Sequence, residues 1–387
     1  MRPKWRLAAL AVALFLAFMV PLLCAKSRKT ANSYLVYVGT YTGPTSKGIY
    51  AFRFNQSTGR TTSIGLAAET ANPSFLVTDS AGEHLYAVNE LSDFQGQKSG
   101  AVSAFSIDHG SGKLTFLNQV SSHGAGPCYI TLDKTGKYVL VANYDSGTVA
   151  TFPILPDGKL GEAASVIKHS GHGTDPERQE GPHAHEIELS PDNRFAIAAD
   201  LGLDQLLVYK FDAASGKLQA NSPPYIELDS GAGPRHFAYS PNGKYAYVLA
   251  EMKSSVTALS FDSQAGSFHK LQTISSLPPE FKGHNDSAEI KVSPNGKFVY
   301  ASNRGSDTIA VFSIAGDGKL TPVEYAPSRG KTPRGFALDP SGAYLLAANQ
   351  ESNNIVVFRV DAKSGQLTAG EQTLEAPSPV DVKFVKE

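Results

Sequence analysis

The fold is decided by a hairpin pattern that is seen most simply in HAHEIELSPDNRFAIAADL, residues 183–201. A run that alternates polar and apolar residues leads into a Ser-Pro-Asp-Asn turn, and a second apolar run ends on Asp200. Alternation at every second position is typical of a β-strand with two different faces. Asn193 stands where a tight turn needs a residue that tolerates positive φ. The stretch therefore predicts two antiparallel strands joined by a tight turn.

The same pattern occurs six times along the chain. Its turn positions recur about every 50 residues, at Gly82, Gly136, Asn193, Gly243, Gly296 and Gly342. A third strand-like run and a fourth follow each hairpin, as in QLLVYKF at residues 205–211. Short antiparallel sheets that repeat every 40–50 residues or so are typical of a β-propeller, because each sheet is too small to bury its own faces.

The two ends of the chain complete the repeat. Three strand-like segments precede the first hairpin (YLVYVGTY, GIYAFRF and TTSIGLAAE), and one follows the last repeat (PVDVKF). Together they make a further blade that joins both ends of the chain and removes an open sheet edge. We therefore predict an all-β, seven-bladed β-propeller with four antiparallel strands per blade. It would be one domain over residues 34–385, with its last blade closed by the N- and C-terminal strands.

Composition fits this architecture and excludes some partners. Only 18% of the 387 residues are charged, while 35 are Gly and 23 are Pro, which favours short strands and turns over solvated helices. The formal net charge is −1, so no global field draws the protein to nucleic acid. We expect no nucleic-acid partner, and no membrane partner beyond a possible N-terminal anchor.

The first 25 residues read as an export signal. Basic residues at positions 2, 4 and 6 precede an uncharged apolar run over residues 7–25, which is the composition of a secretory signal peptide. Cleavage after Ala25 predicts a periplasmic or secreted protein. The alternatives are an uncleaved membrane anchor and, because of Cys24, a lipoprotein. The other cysteine is Cys128, so removal of the signal would leave no internal disulfide.

Functional side chains are expected at one mouth of the channel, where the first strand of each hairpin begins and the second ends. We compare equivalent positions in the six hairpins: four and five residues before the Ser or Asp that opens each turn, and seven and eight residues after the turn Gly or Asn. These sets of equivalent positions, called columns here, are polar, and their residues differ from blade to blade. Such differences indicate a binding site, because a scaffold position would repeat the same residue. Asparagines in these columns also suit a structural role at strand ends. The candidates are Tyr129, Asn143, His185, Arg235, His236, Glu251, Glu289, Arg304 and Arg334.

His183 and His185 point to the same side of one predicted strand. Zinc is one interpretation, since His169 and His172 lie nearby in sequence. However, neither a cysteine cluster nor a His-Glu-x-x-His motif supports it. We therefore favour a catalytic or substrate-binding histidine and expect no metal. The sequence also has no Gly-rich phosphate loop and no Gly-x-Ser-x-Gly elbow, which argues against a nucleotide enzyme or an α/β serine hydrolase. We expect no cofactor.

Several passages together resemble a known family. They include YVGTYT, GPCYITLDKTGKYVLVANY, PHAHEIELSPDNRFA, GPRHFAYSPNGKYAYVLAE and SPNGKFVYASNRG. These motifs are similar to those of the seven-bladed propeller lactonases, which include bacterial 6-phosphogluconolactonases of the propeller type and fungal carboxy-cis,cis-muconate cyclase. The resemblance covers essentially residues 34–385. Tyr129 departs from it, because relatives often have His there.

The resemblance implies a catalytic set of His185 (or its neighbour His183), Arg235, Glu251 and Arg304. The implied reaction is hydrolysis of a small-molecule sugar-acid lactone such as 6-phosphoglucono-1,5-lactone. Either Glu251 or His185 would activate the water, and the two arginines would stabilise the oxyanion.

Substrate contacts are expected around this catalytic set, with Arg334 as a candidate for a phosphate or carboxylate group. The expected substrate-binding residues are Tyr129, Asn143, His183, His236, Glu289 and Arg334.

Two other functions use the same site. A muconate-type cycloisomerase would clamp two carboxylates with these arginines and move one proton. A non-catalytic exported propeller would bind a ligand or a protein partner there, since the fold alone does not settle function. An export signal is unexpected for a cytosolic phosphosugar enzyme, which leaves phosphorylation of the substrate open.

Overall fold

The computed structural model describes residues 33–387, in which 28 strands form seven four-stranded antiparallel sheets. The predicted signal segment, residues 1–25 with Cys24, lies outside the described residues. Each sheet is one blade of a propeller, and blades are numbered here in chain order. The seven-bladed all-β prediction is confirmed.

Blade 1 takes strands from both ends of the chain. From the inside outward its strands are β28 (Pro379–Lys386), β1 (Ser33–Thr40), β2 (Gly48–Asn55) and β3 (Arg60–Glu69). Residues Tyr34 to Gly39 pair with Lys386 to Asp381 in antiparallel register. The ring is therefore closed by one strand from the C-terminal end and three from the N-terminal end, as predicted.

The other blades are continuous in sequence. Blade 2 contains β4 (Leu76–Thr78), β5 (His84–Asn89), β6 (Ala101–Ile107) and β7 (Leu114–Ser121). Blade 3 contains β8 (Pro127–Leu132), β9 (Tyr138–Asn143), β10 (Thr148–Pro153) and β11 (Ser165–Lys168). Blade 4 contains β12 (Ala184–Leu189), β13 (Phe195–Asp200), β14 (Gln205–Asp212) and β15 (Lys217–Glu227).

The last three blades follow the same plan. Blade 5 contains β16 (Pro234–Tyr239), β17 (Tyr245–Ala250), β18 (Ser255–Asp262) and β19 (Ser267–Ser275). Blade 6 contains β20 (Asp286–Val292), β21 (Phe298–Arg304), β22 (Thr308–Ile314) and β23 (Leu320–Pro327). Blade 7 contains β24 (Pro333–Leu338), β25 (Tyr344–Asn349), β26 (Asn354–Val360) and β27 (Leu367–Glu375). The first strands of successive blades contact one another and surround the axis.

The core lies between blades rather than within one. Tyr300 and Leu345, for example, belong to one buried apolar cluster that spans blades 6 and 7. Leu35 and Leu85 share a similar cluster between blades 1 and 2. Burial of apolar area at each junction stabilises the ring by roughly 25 cal/mol per Å². Each blade is therefore held by its two neighbours.

A glycine turn reinforces most of these junctions. The turn between the third and fourth strands of blade 4 contains Gly216 at φ 69°, where a Cβ would lie 2.3 Å from the Tyr138 ring of blade 3. Glycine supplies both the positive φ and the space for the ring. The same contact recurs at Gly59–Tyr344, Gly158–His84, Gly266–Phe195, Gly318–Tyr245 and Gly365–Phe298.

Within residues 33–387, we find no helix with the length and apolar character that a membrane span requires.

Ring closure requires a close approach of β24 to β28 at Gly335, and a substitution there tests it. A Cβ there would lie 2.1 Å from the Val380 carbonyl oxygen, so Gly335→Ala must push β24 away from β28. We expect a loss of about 1–3 kcal/mol in the free energy of unfolding, the usual cost of overpacking. The measurement is the urea unfolding midpoint.

Gly316→Ala is the matched control, because a Cβ at Gly316 would meet none of the described residues within 4 Å. We expect it to change the free energy of unfolding by less than about 0.5 kcal/mol. Equal unfolding midpoints for the two variants would contradict the close approach of β24 to β28.

Candidate active site

A buried carboxylate organises the charged cluster at the predicted mouth of the channel. Glu251 directly follows β17, and its Oε2 atom lies 2.9 Å from Arg235 Nε and 2.8 Å from Arg304 Nη2. Its other oxygen, Oε1, accepts a hydrogen bond of 2.5 Å from Arg178 Nη2. The Arg235 contact is an ion pair rather than a hydrogen bond, because its N–H direction is unfavourable. One carboxylate thus meets three guanidinium groups.

This environment fixes the charge on Glu251. Burial alone would raise the pKa of Glu251, but the charges on Arg304 and Arg235 and the hydrogen bond from Arg178 lower that pKa to about 2. The carboxylate is therefore ionised at neutral pH, with both oxygens engaged. Such a group is a weak proton acceptor and a strong anchor for the arginines.

The two predicted catalytic arginines are held in place from several sides. Arg235 is buried, and its Nη1 donates to the Ala288 carbonyl oxygen in blade 6. Arg304 Nε donates to the Asp286 carbonyl oxygen at 3.2 Å. Burial lowers the pKa of Arg304 to about 10, so the group stays charged at neutral pH. Both cations are preorganised for an anionic group.

His185 lies beside this cluster as a buried, neutral ring. Its ring packs edge-on against Tyr144 at 5.5 Å and against His236 at 5.1 Å. Its Nδ1 atom lies 3.8 Å from Cys128 Sγ. Burial, followed by the charge on Arg235, lowers the pKa of His185 well below its ordinary value. The imidazole is therefore unprotonated at neutral pH, and, unlike the Glu251 carboxylate, it is not held in an ion pair with an arginine.

His183 contacts the same tyrosine, Tyr144, by stacking. Its ring stacks on Tyr144 with centroids 4.5 Å apart, and its Nδ1 lies 3.1 Å from the Tyr144 carbonyl oxygen. Its Nε2 lies 3.2 Å from Glu180 Oε1. Both histidines thus reach one tyrosine, although only His185 lies in β12: His183 precedes the strand, and a β-bulge lies between Ala184 and Glu186. The prediction that the two histidines share one face of a strand is therefore not met by regular strand alternation.

An aromatic layer lies beneath the charged cluster. Phe75 stacks on Tyr129 at 4.3 Å, and the His236 ring meets Phe75 at 5.6 Å and Tyr129 at 5.1 Å. Glu289 Oε1 lies 3.2 Å from His236 Nδ1 and 2.9 Å from Lys291 Nζ. Because blades 2, 3 and 5 contribute to this layer, it spans the channel and forms a floor.

Arg334 is the fourth arginine of the mouth. Its Nη2 donates to the Tyr41 hydroxyl at 2.8 Å, and that hydroxyl donates to Glu90 at 2.9 Å. A small cavity of about 10 Å³, room for about one water molecule, lies between this network and His185 and Arg235. Its lining includes Tyr41, Ser74, Glu90, Cys128, His185, Arg235, His236 and Arg334.

The structure brings together most of the predicted site residues. His185, Arg235, Glu251 and Arg304 lie around one point, with His183 and Arg334 beside them and Tyr129, His236 and Glu289 in the layer below. Asn143 is the exception. Its Nδ2 donates to the Ser122 carbonyl oxygen at 3.0 Å and to Thr148 Oγ1 at 2.9 Å. The Nδ2 group is thus committed to strand ends, while Oδ1 is buried without a hydrogen-bond partner among the described residues. The predicted substrate contact of Asn143 stays a prediction.

Several site residues were missed. Glu90, Cys128 and Tyr144 lie in the counted columns, but they are not among the predicted site residues. Arg178 and Tyr41 lie outside the repeated hairpins, so that count does not reach them.

The zinc interpretation of the sequence concerned the histidines near residue 170. His169 Nδ1 lies 2.5 Å from Asp200 Oδ2, and both side chains are fully buried. Over residues 33–387, no three His, Cys, Asp or Glu side chains are grouped so as to hold a metal ion.

Comparison with known proteins agrees with this geometry. The sequence profile described as "Lactonase, 7-bladed beta-propeller" matches residues 35–384. The chain is 39% identical to the 6-phosphogluconolactonase of Bacillus subtilis, over 92% of this chain and 99% of that one. It is 35% identical to the 6-phosphogluconolactonase of Formosa agariphila, over 88% and 96% of the two chains.

A solved structure shows the same relationship. The periplasmic gluconolactonase of Pseudomonas aeruginosa superimposes with a TM-score of 0.84 at 33% identity, covering 91% of this chain and 99% of that one. Since the family profile spans nearly the whole propeller and full-length relatives exceed 30% identity, this chain belongs to the seven-bladed β-propeller lactonase family.

Proposed function

We propose that this protein hydrolyses the lactone of a sugar acid, with 6-phosphoglucono-1,5-lactone and glucono-1,5-lactone as the first substrates to test. The observation that carries the proposal is the grouping of Glu251, Arg235 and Arg304 beside the neutral ring of His185. The names of the Bacillus and Pseudomonas relatives supply the two substrates.

The proposed reaction uses His185 as the base. Its neutral imidazole takes a proton from water as the water oxygen attacks the lactone carbonyl carbon. Negative charge then develops on the carbonyl oxygen, where Arg235 and Arg304 stabilise it. The tetrahedral intermediate collapses, the ring C–O bond breaks, and the proton passes to the departing ring oxygen. Glu251 is proposed to hold the two arginines in position rather than to act as the base.

We also propose that the protein is exported and acts on carbohydrate-derived lactones outside the cytoplasm. The basic and apolar composition of residues 1–25 supports export. The periplasmic description of the Pseudomonas relative is consistent with it.

Glu251→Gln tests the proposed site. Loss of the charge releases Arg235 and Arg304, so we expect kcat/KM for lactone opening to fall about 100-fold, as on loss of an oxyanion contact. Hydrolysis is followed on fresh lactone with the chain that starts at residue 26, and spontaneous opening is subtracted.

The matched control is Glu69→Gln, since Glu69 is exposed and forms only a 3.9 Å surface pair with Lys47. It should retain wild-type kcat/KM. Urea midpoints identify variants that have not folded. Full activity in a folded Glu251→Gln variant would remove the cluster from the mechanism.

The pH profile tests His185 as the base. Because burial lowers the pKa of His185, the ring stays unprotonated as pH falls through the ordinary histidine range near 6.5. Glu251, with a pKa of about 2, stays ionised as well. We therefore expect kcat/KM to stay level from about pH 7.5 to 5.5. A halving of kcat/KM near pH 6.5 would show a base with an ordinary histidine pKa, which would contradict the buried, neutral ring described for His185.

A further inference from the structure

Arg178 differs from the other arginines of the site in its exposure. Its side chain is 38% exposed, against 14% for Arg304 and 3% for Arg235. It comes from the segment that joins blades 3 and 4, whereas the other two come from strands β16 and β21 or their ends. Arg178 therefore lies at the outer rim of the cluster and reaches inward to Glu251.

The segment that carries Arg178 is firmly anchored. Gln179 is buried, and its Nε2 donates to the Leu201 carbonyl oxygen at 2.8 Å and to Asp204 Oδ1 at 2.7 Å. Its Oε1 accepts the backbone N–H groups of Thr174 and Asp175 at 3.0 and 3.1 Å. These bonds fix the backbone next to Arg178 and leave its long side chain as the adjustable part.

Arg178 is also close to the histidine proposed as the base. The Tyr144 hydroxyl interacts electrostatically with the Arg178 guanidinium, and the Tyr144 ring packs edge-on against His185. One aromatic ring thus separates the rim arginine from the reacting end of the site. A sugar lactone that places its carbonyl at His185 and Arg235 would extend its far end toward Arg178.

Two of the three guanidinium groups that stabilise the Glu251 carboxylate stay in place if Arg178 turns away. Arg235 and Arg304 remain within 2.9 Å of the carboxylate, and both are more deeply buried than Arg178. A turn of Arg178 toward a ligand would break its 2.5 Å bond to Glu251 and its 3.8 Å pair with Asp286. As the most exposed of the three arginines, Arg178 is nevertheless the one with the most room to move. Arg334 is less suited to this role, since it is tied to Tyr41 and through it to Glu90.

We propose that Arg178 is a specificity residue that binds an anionic group, such as a phosphomonoester, on the end of the substrate remote from the lactone carbonyl. The inference rests on the proposed lactonase function and assigns this site a preference for phosphorylated sugar acids. A guanidinium group suits this role because it offers paired donors to phosphate oxygens. The pair with Glu251 holds the side chain near the site when no ligand is bound.

The test uses two stable product molecules, 6-phosphogluconate and gluconate, whose binding is measured by calorimetry. Wild-type protein should bind 6-phosphogluconate more tightly. Arg178→Gln should weaken that binding by about 10-fold or more, the usual cost of losing a charged hydrogen bond. It should weaken gluconate binding much less. Arg178→Lys, which keeps the charge but loses the paired donors, should fall between the two.

Arg194→Gln is the matched control, because Arg194 lies in the β12–β13 turn, at the opposite end of the hairpin, and pairs with Asp192 at 2.8 Å. It should change neither affinity. Equal affinity of the wild type for the two ligands, or binding of neither, would overturn the inference. So would an equal loss for both ligands, or no loss, in Arg178→Gln.

Lactone hydrolysis by the same proteins separates this inference from the proposed function. Hydrolysis without an Arg178-dependent phosphate preference would overturn the inference alone. Arg178-dependent binding of 6-phosphogluconate without hydrolysis of either lactone would overturn the proposed reaction alone.

Discussion

Every blade of this protein depends on two neighbours, because a four-stranded sheet exposes two apolar faces and cannot cover either by itself. A row of such sheets would leave one uncovered face at each end. Pairing of β28 with β1 removes both ends at once, since it completes blade 1 and places it between blades 2 and 7. The contacts between glycine turns and aromatic rings then repeat around the ring. The site at the channel mouth exists only because this circle is complete.

The same closure explains why one carboxylate can organise the site. Glu251 belongs to blade 5, Arg304 to blade 6, and Arg178 to the connection between blades 3 and 4. These residues are far apart in sequence. Closure of the ring brings the blades and the connection that carry them together around one axis. Burial of the carboxylate among three guanidinium groups keeps it ionised and immobile. Its function is thus positional, and the neutral His185 is left for proton transfer.

The regular part of the site could be predicted from sequence, and the irregular part could not. Counting from the turns located Arg235, Glu251 and Arg304, because a hairpin fixes which residues share one of its ends. The same count included Asn143, whose side chain instead bonds to backbone near its strand end. The position of a residue on a strand does not show whether its side chain bonds to the backbone or faces a ligand. Arg178 escaped the count, because its segment follows no repeat and its position depends on the buried contacts of Gln179.

The composite blade also sets the order in which the native structure can form. β1 and its inner partner β28 are separated in sequence by all the other strands. Blades 2 to 7 are contiguous segments whose strand pairs join residues close in sequence, whereas blade 1 also needs residues 379–386. Without those residues β1 presents an unpaired edge, and β4 and β24 lack their neighbour at the axis. Pairing of β28 with β1 therefore also completes the channel mouth, so a chain interrupted before β28 has neither a closed ring nor a complete site.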